Sequence, residues 1–274
     1  MKRFIIPSPV VLRALFGLAV ASGLSILTSC SHPGTAPKPW VNRFGMAFVG
    51  IVPGTLVMGS DSSPDESPAH SVTFRTQYWI QTTELTQDQW KAVMGTSPWT
   101  GRPNFREAGN FPAVFVKWPD AQVFMERLNA LDPGHGYRLP SESEWERVCT
   151  ADGPGPYTFG REPAALGDYG WIDENAARVG ERYAHAVGQK KANRLGLFDI
   201  HGNVWEWCED NYRDGYKDAP NDGRARVLKD VYSHVYRGGG WSSPARSAAC
   251  TARAGLDEDD RSEAIGLRVV ASRR

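Results

Sequence analysis

Apolar residues change their spacing several times along the chain, and each change predicts an element. From Met46 to Met58 they alternate around Pro53-Gly54, which predicts a hairpin. Val72 to Ile80, with Phe74, Tyr78 and Trp79, predicts a second strand. The period then lengthens. Thr86 and Gln89 form a capping box, so a short helix runs through Trp90, Val93 and Met94 and stops at Gly95. Ala121, Phe124, Leu128 and Leu131 recur at helical spacing behind Pro119, a first-turn residue. Ser141 with Glu144 is a second capping box and opens a helix to about Cys149. Residues 150–195 are rich in Gly, Pro and Ala and predict irregular chain. Gly202 to Cys208, Val235 to Trp241 and Ala264 to Val270 predict three further strands. Short helices around irregular antiparallel strands make the class α+β, with no internal repeat.

Composition narrows the function classes. With 31 Lys+Arg against 31 Asp+Glu, the chain lacks the basic excess of a nucleic-acid binder. The 28 glycines and 19 prolines suit a loop-rich fold better than a helix bundle. Four cysteines are too few for a disulfide-built miniprotein. The six histidines show no zinc spacing and read as surface or loop residues. Ser243 has no Gly-x-Ser-x-Gly frame around it, so a serine hydrolase is a weak reading. Glu142, Glu144 and Glu146 invite acid/base chemistry, but Glu142 and Glu144 sit in a first turn, where the helix dipole favours negative charge.

The N-terminus has the layout of an export signal: basic Met1-Lys2-Arg3, an apolar run, then Leu27-Thr28-Ser29-Cys30. The last four residues resemble a bacterial lipobox. They predict a lipoprotein signal peptide over 1–29, lipid on Cys30, a tether over 30–43 and a domain over 44–272. An ordinary signal peptide or a membrane helix is the alternative, and Arg13, Ser22 and Ser25 interrupt the apolar run that a helix would need. The expected location is the bacterial cell envelope, lipid-anchored at the outer membrane or the periplasmic face. The membrane is then one partner, held through Cys30.

The order of motifs resembles the formylglycine-generating enzyme, or sulfatase-modifying-factor, family. The pieces are Thr83-Glu84-Leu85-Thr86-Gln87 with Trp90, and Tyr137-Arg138-Leu139-Pro140 with Glu144-Trp145-Glu146. Then come Asn193 to Phe198 with Gly202-Asn203-Val204-Trp205-Glu206-Trp207, and Arg237-Gly238-Gly239 with Trp241, Arg253 and Gly266-Leu267-Arg268. The resemblance implies an irregular C-type-lectin-like fold. It also implies where chemistry would sit. The family's enzymes oxidise a sulfatase cysteine with copper held by two cysteines. Those positions are Ser243 and Ala248 here, and the serine of the preceding motif is Gly240. A hydroxyl and a methyl do not replace the soft thiolates that select Cu(I).

The resemblance further implies a Cys149–Cys250 disulfide, with Cys208–Cys250 as the competing pairing. It implies a calcium site at Asp199, Gly202, Val204 and Glu206, unless Glu206 is a buried acid paired with an arginine. A second calcium site, at Asn175, lacks its downstream aspartate. Three functions stay open. One is a lipoprotein that binds an unknown protein or small ligand around Trp241, Ser242, Ser243 and Arg246, with Trp241 either lining the surface or in the core. The others are an oxidoreductase of the formylglycine-generating type and a structural component of an envelope assembly.

Overall fold

The computed structural model describes residues 36–273 apart from 152 and 154. The signal peptide, Cys30 and the start of the tether lie outside the described residues. The strands are β1 (Trp40–Val41), β2 (Ala47–Ile51), β3 (Gly54–Met58), β4 (His70–Phe74), β5 (Tyr78–Gln81) and β6 (His135–Arg138). They continue with β7 (Trp205–Asn211), β8 (Ser233–Arg237), β9 (Arg253–Asp257), β10 (Ile265–Leu267) and β11 (Val270–Arg273). Among the described residues three helices of two turns or more accompany them: α1 (Gln87–Met94), α2 (Trp118–Leu131) and α3 (Glu142–Thr150).

Five strands pair in the order β1-β2-β5-β11-β6, all antiparallel. A second sheet runs β10-β7-β8-β9, with β10 parallel to β7. β3 and β4 form a separate ribbon. The expected hairpin over 46–58 is therefore not formed. Pro53 has no N–H to give a ladder, β2 joins β5, and β3 crosses to β4. The expected strand over 72–80 is likewise two strands, β4 and β5, in different sheets.

β5 is buried along its whole length because both faces of its sheet are covered. Trp79 faces one cluster with Phe48, Trp90, Phe124, Leu128 and Tyr137. Tyr78 and Ile80 face another with Trp145, Val148, Leu197 and Val235. α1 has the complete Thr86/Gln89 capping box and ends on left-handed Gly95. α3 has the complete Ser141/Glu144 box. α2 buries Ala121, Phe124, Met125 and Leu128, while Leu131, expected in that stripe, is 42% exposed at the helix end. Among the described residues of 151–195 the helical pieces are three or four residues long. A mixed fold of short helices and small, split sheets results.

Candidate functional site

The chain's familiar motifs meet through buried ion pairs. Glu206 of β7 accepts from Arg268 through both carboxylate oxygens, at 2.7 to 3.1 Å, and from Trp145 Nε1 at 2.8 Å. Glu142 and Glu146 are buried on α3. Arg253 grips Glu142 through Nε at 2.6 Å and Nη2 at 2.9 Å. Arg237 pairs with Glu146, whose other oxygen accepts from the Gly59 N–H at 2.7 Å. Glu144 holds Arg138 with two bonds of 2.6 Å. Burial works to raise the Glu142 carboxyl, but Arg253 and Arg237 outweigh it and hold it low. Burial wins at Glu146 and pushes it up to about 6. The three glutamates of α3 thus do structural work, and their partners are guanidinium groups more than the helix dipole.

The loop before β7 is built just as tightly. Glu84 accepts from the Val204 N–H at 2.9 Å and from Asn203 Nδ2 at 2.6 Å. Gly202 has φ +127, and a Cβ there would stand 2.2 Å from the Trp171 carbonyl, so only glycine fits. His201, expected at the surface, is fully buried. Its Nδ1–H donates to the Ala248 carbonyl at 2.8 Å, and its Nε2 accepts from the Thr158 N–H at 3.0 Å. Burial pushes its pKa down to about 4, so it stays neutral. His185 and His234 are also buried, each stacked on a tryptophan.

Neither of the two copper positions carries a side chain that can ligate copper. The Ser243 hydroxyl accepts from Trp205 Nε1 at 3.1 Å and from the Gly240 N–H at 3.0 Å. Ala248 is fully buried in a small cluster with Tyr157, Leu166 and Ile172. A serine hydroxyl and an alanine methyl do not fit Cu(I), which is selected by soft thiolate ligands. Trp241 is only 4% exposed and belongs to the main core, so it does not line a surface. Ser243 points inward with it, and of the four expected surface residues Ser242 and Arg246 are exposed.

Cys149 and Cys250 are joined as a disulfide. Cys208 is free and buried, and burial raises its thiol well above the ordinary range. Together with His201 the disulfide sulfurs form a tight group, but sulfurs bonded to each other offer no thiolate to a metal.

The calcium set divides. Glu206 shares both oxygens with Arg268. Asp199 takes the Gly188 N–H on Oδ2 at 2.6 Å, while its buried Oδ1 has no partner. Burial pushes Asp199 up to about 6 and raises Glu84, with the neighbouring acids adding to both. Arg268 and, at Asp199, Lys190 are the cations that act on these acids, and the Asp199 Oδ1 is the one carboxylate oxygen of the expected set left without a partner. Asn175 has no such oxygen: all its polar atoms bind Ile172, Gly167 and Gly170.

Of the buried glutamate–arginine wiring, the sequence offered only the Glu206 pair, as the alternative to calcium, although the signal for the rest was present. The motifs contain Glu84, Glu144, Glu146 and Glu206 beside Arg138, Arg237, Arg253 and Arg268, all among tryptophans and leucines. Charges in such surroundings are buried only as pairs.

Split sheets, capped short helices and this wiring define a domain of the formylglycine-generating-enzyme type. The chain belongs to the sulfatase-modifying factor enzyme 1-like domain family, whose model matches residues 37–273. It is 26% identical over 247 residues to the chaperone protein LppX of Paenibacillus barcinonensis, spanning 72% of this chain and 80% of that one. It is 32% identical over 172 residues to the formylglycine-generating enzyme of Streptomyces coelicolor, spanning 54% of this chain and 51% of that one. The chain thus spans about half the length of that enzyme. Among solved structures, PvdO from Pseudomonas aeruginosa superposes with a TM-score of 0.76 at 28% identity, covering 88% of this chain and 99% of that one.

Proposed function

We propose that this protein is a lipid-anchored envelope protein whose domain binds a partner and does not carry out copper–thiol oxidation. One observation carries the reading. The two positions that would hold copper are a serine whose hydroxyl caps Gly240 and Trp205, and a buried alanine. Neither offers a soft ligand, and both are locked into packing. The likeness to LppX over most of both chains favours a polypeptide partner, since that relative is named a chaperone. Attachment is read from the lipobox-like Leu27-Thr28-Ser29-Cys30, with lipid on Cys30 as the anchor. Calcium belongs to the reading as a structural ion on the unpaired Asp199 oxygen beside the Gly202 and Val204 carbonyls, while Glu206, also expected as a ligand, is taken by Arg268. It would neutralise the excess carboxylate charge and fix the loop before β7.

The test is to incubate the purified protein with a Cys-x-Pro-x-Arg peptide, copper and oxygen and to follow the peptide mass. No conversion is expected while a formylglycine-generating enzyme turns over beside it. Conversion to formylglycine would overturn the reading and restore an oxidoreductase.

A further inference from the structure

The groove where β1 begins and β11 ends differs from the rest of the surface. Ala36 to Trp40 form one wall, and Gln77, Trp79, His135 and Arg273 complete it around about 600 Å³. Its lining carries two tryptophans, the cations Lys38 and Arg273, and no carboxylate. Trp40 lies flat against Phe48 at 4.6 Å and against His135 at 4.0 Å. The Arg273 guanidinium stands 5.6 Å from the Trp79 ring, whose Nε1 donates to the Lys38 carbonyl at 3.2 Å. Trp40 Nε1 and His135 Nδ1 have no hydrogen-bond partner. Two exposed apolar side chains lie on the elements beside the groove. Val41 is 63% exposed and Leu131 is 42% exposed, and Arg43 joins them by donating to the Leu131 carbonyl at 3.3 Å. Asp132, beside Leu131, is engaged by the Tyr137 hydroxyl at 2.7 Å.

We infer that this face docks on an anionic phospholipid surface, with Lys38, Arg43 and Arg273 against the phosphates. Val41 and Leu131 then sit at headgroup level, where exposed apolar side chains leave water. A small soluble anion would use the cations but would leave Val41 and Leu131 in water, so the exposed apolar pair points to a surface. The inference rests on the lipid-anchor reading and deepens it. Six peptide links separate Cys30 from Ala36, a reach of at most about 20 Å. Lipid on Cys30 therefore keeps this face, and not the opposite end of the domain, beside the bilayer. Basic residues at such a surface each add attraction that falls off within a Debye length.

The experiment uses the full lipidated chain reconstituted in phosphatidylcholine vesicles with or without phosphatidylglycerol. The mass of the Cys30 peptide is read first, then hydrogen exchange. Exchange over 36–41 and 135–137 is expected to slow on the order of ten-fold when phosphatidylglycerol is present. The Lys38→Glu, Arg273→Glu double variant should lose that dependence and keep wild-type exchange in β5 and α3, which shows that it is folded. Equal exchange on both vesicle types, with Cys30 acylated, overturns the docking face alone. A Cys30 without acyl mass overturns the anchor and this inference with it.

Discussion

Arg268 is the cation on which the densest set of buried acids depends. It holds Glu206 through both oxygens and also donates to the carbonyls of Gln81 and Phe198, at 3.0 and 2.9 Å. Glu84 and Asp199 stand near enough for their charges to be felt at Arg268. Removing the arginine alone leaves three buried carboxylates without it. Arg268→Gln should therefore cost about 3–5 kcal/mol in a urea titration. Glu206→Gln with Arg268→Gln should cost less than the sum of the two single changes, because the pair is removed together. Strict additivity would mean that the contact does not hold these elements. Asp210 offers a pH test at the same scale. Its oxygens accept from the Glu142 N–H at 2.7 Å and the Arg226 N–H at 2.8 Å, yet burial and then the Glu142 charge push it up to about 7. A carboxyl with a raised pKa binds its proton more tightly in the folded protein. Its contribution is complete at low pH and is lost as pH rises from about 4 to about 7. Thermal melts of wild type and Asp210→Ala should converge across that interval, wild type losing its advantage. A constant gap would mean that Asp210 does not titrate there.

α3 is the element on which the others are fastened. Its first turn carries Glu142 to Arg253 of β9, its middle carries Glu146 to Arg237 of β8, and its end carries Cys149 to Cys250. The disulfide spans 101 residues, so reducing it frees a long loop of the unfolded chain. Cys149→Ser with Cys250→Ser should lower stability by about 4–5 kcal/mol on the loop-entropy model, read as a lower urea midpoint. An unchanged midpoint would show that the ion pairs suffice. Much of this element was legible beforehand. Ser141 and Glu144 announced its start because a capping box is local chemistry, satisfied by residues three apart. The same holds for α1. The strands were less legible for the opposite reason. β2 and β3 are separated by two residues but belong to different sheets, and nothing local says which partner a strand will find. β9 carries Gly255 and an exposed Asp257, and its alternation is too weak to show before its partner β8 is known.

For the molecule as a whole, the motifs that mark the family mostly hold the frame together, which is why the family and its fold were legible while the working surface was not. Trp241 shows the limit: beside three glycines it reads equally well as a surface aromatic or as core, and only its 4% exposure within the main core cluster decides for core. Asp199 shows it from the other side, since a carboxylate's motif position does not say whether its oxygens find donors. That unpaired oxygen leads to a property of the entire domain. The loop before β7 joins Glu84 of one sheet region to Glu206 of the other, so a cation held there would stabilise both cores together. Calcium at about a hundred times its dissociation constant should add about 2.7 kcal/mol. For a domain of this size that raises the melting temperature by several degrees, and a chelator should reverse the rise. The rise should be larger at pH values above about 6 than below it, because the proton on Asp199 competes with the ion. Asp199→Ala should abolish the rise without abolishing folding, whereas Asn175→Ala should leave the rise intact, its amide being engaged only with backbone. A melting temperature indifferent to calcium at every pH would leave Arg268 as the cation of the site and would remove the ion from the proposed function.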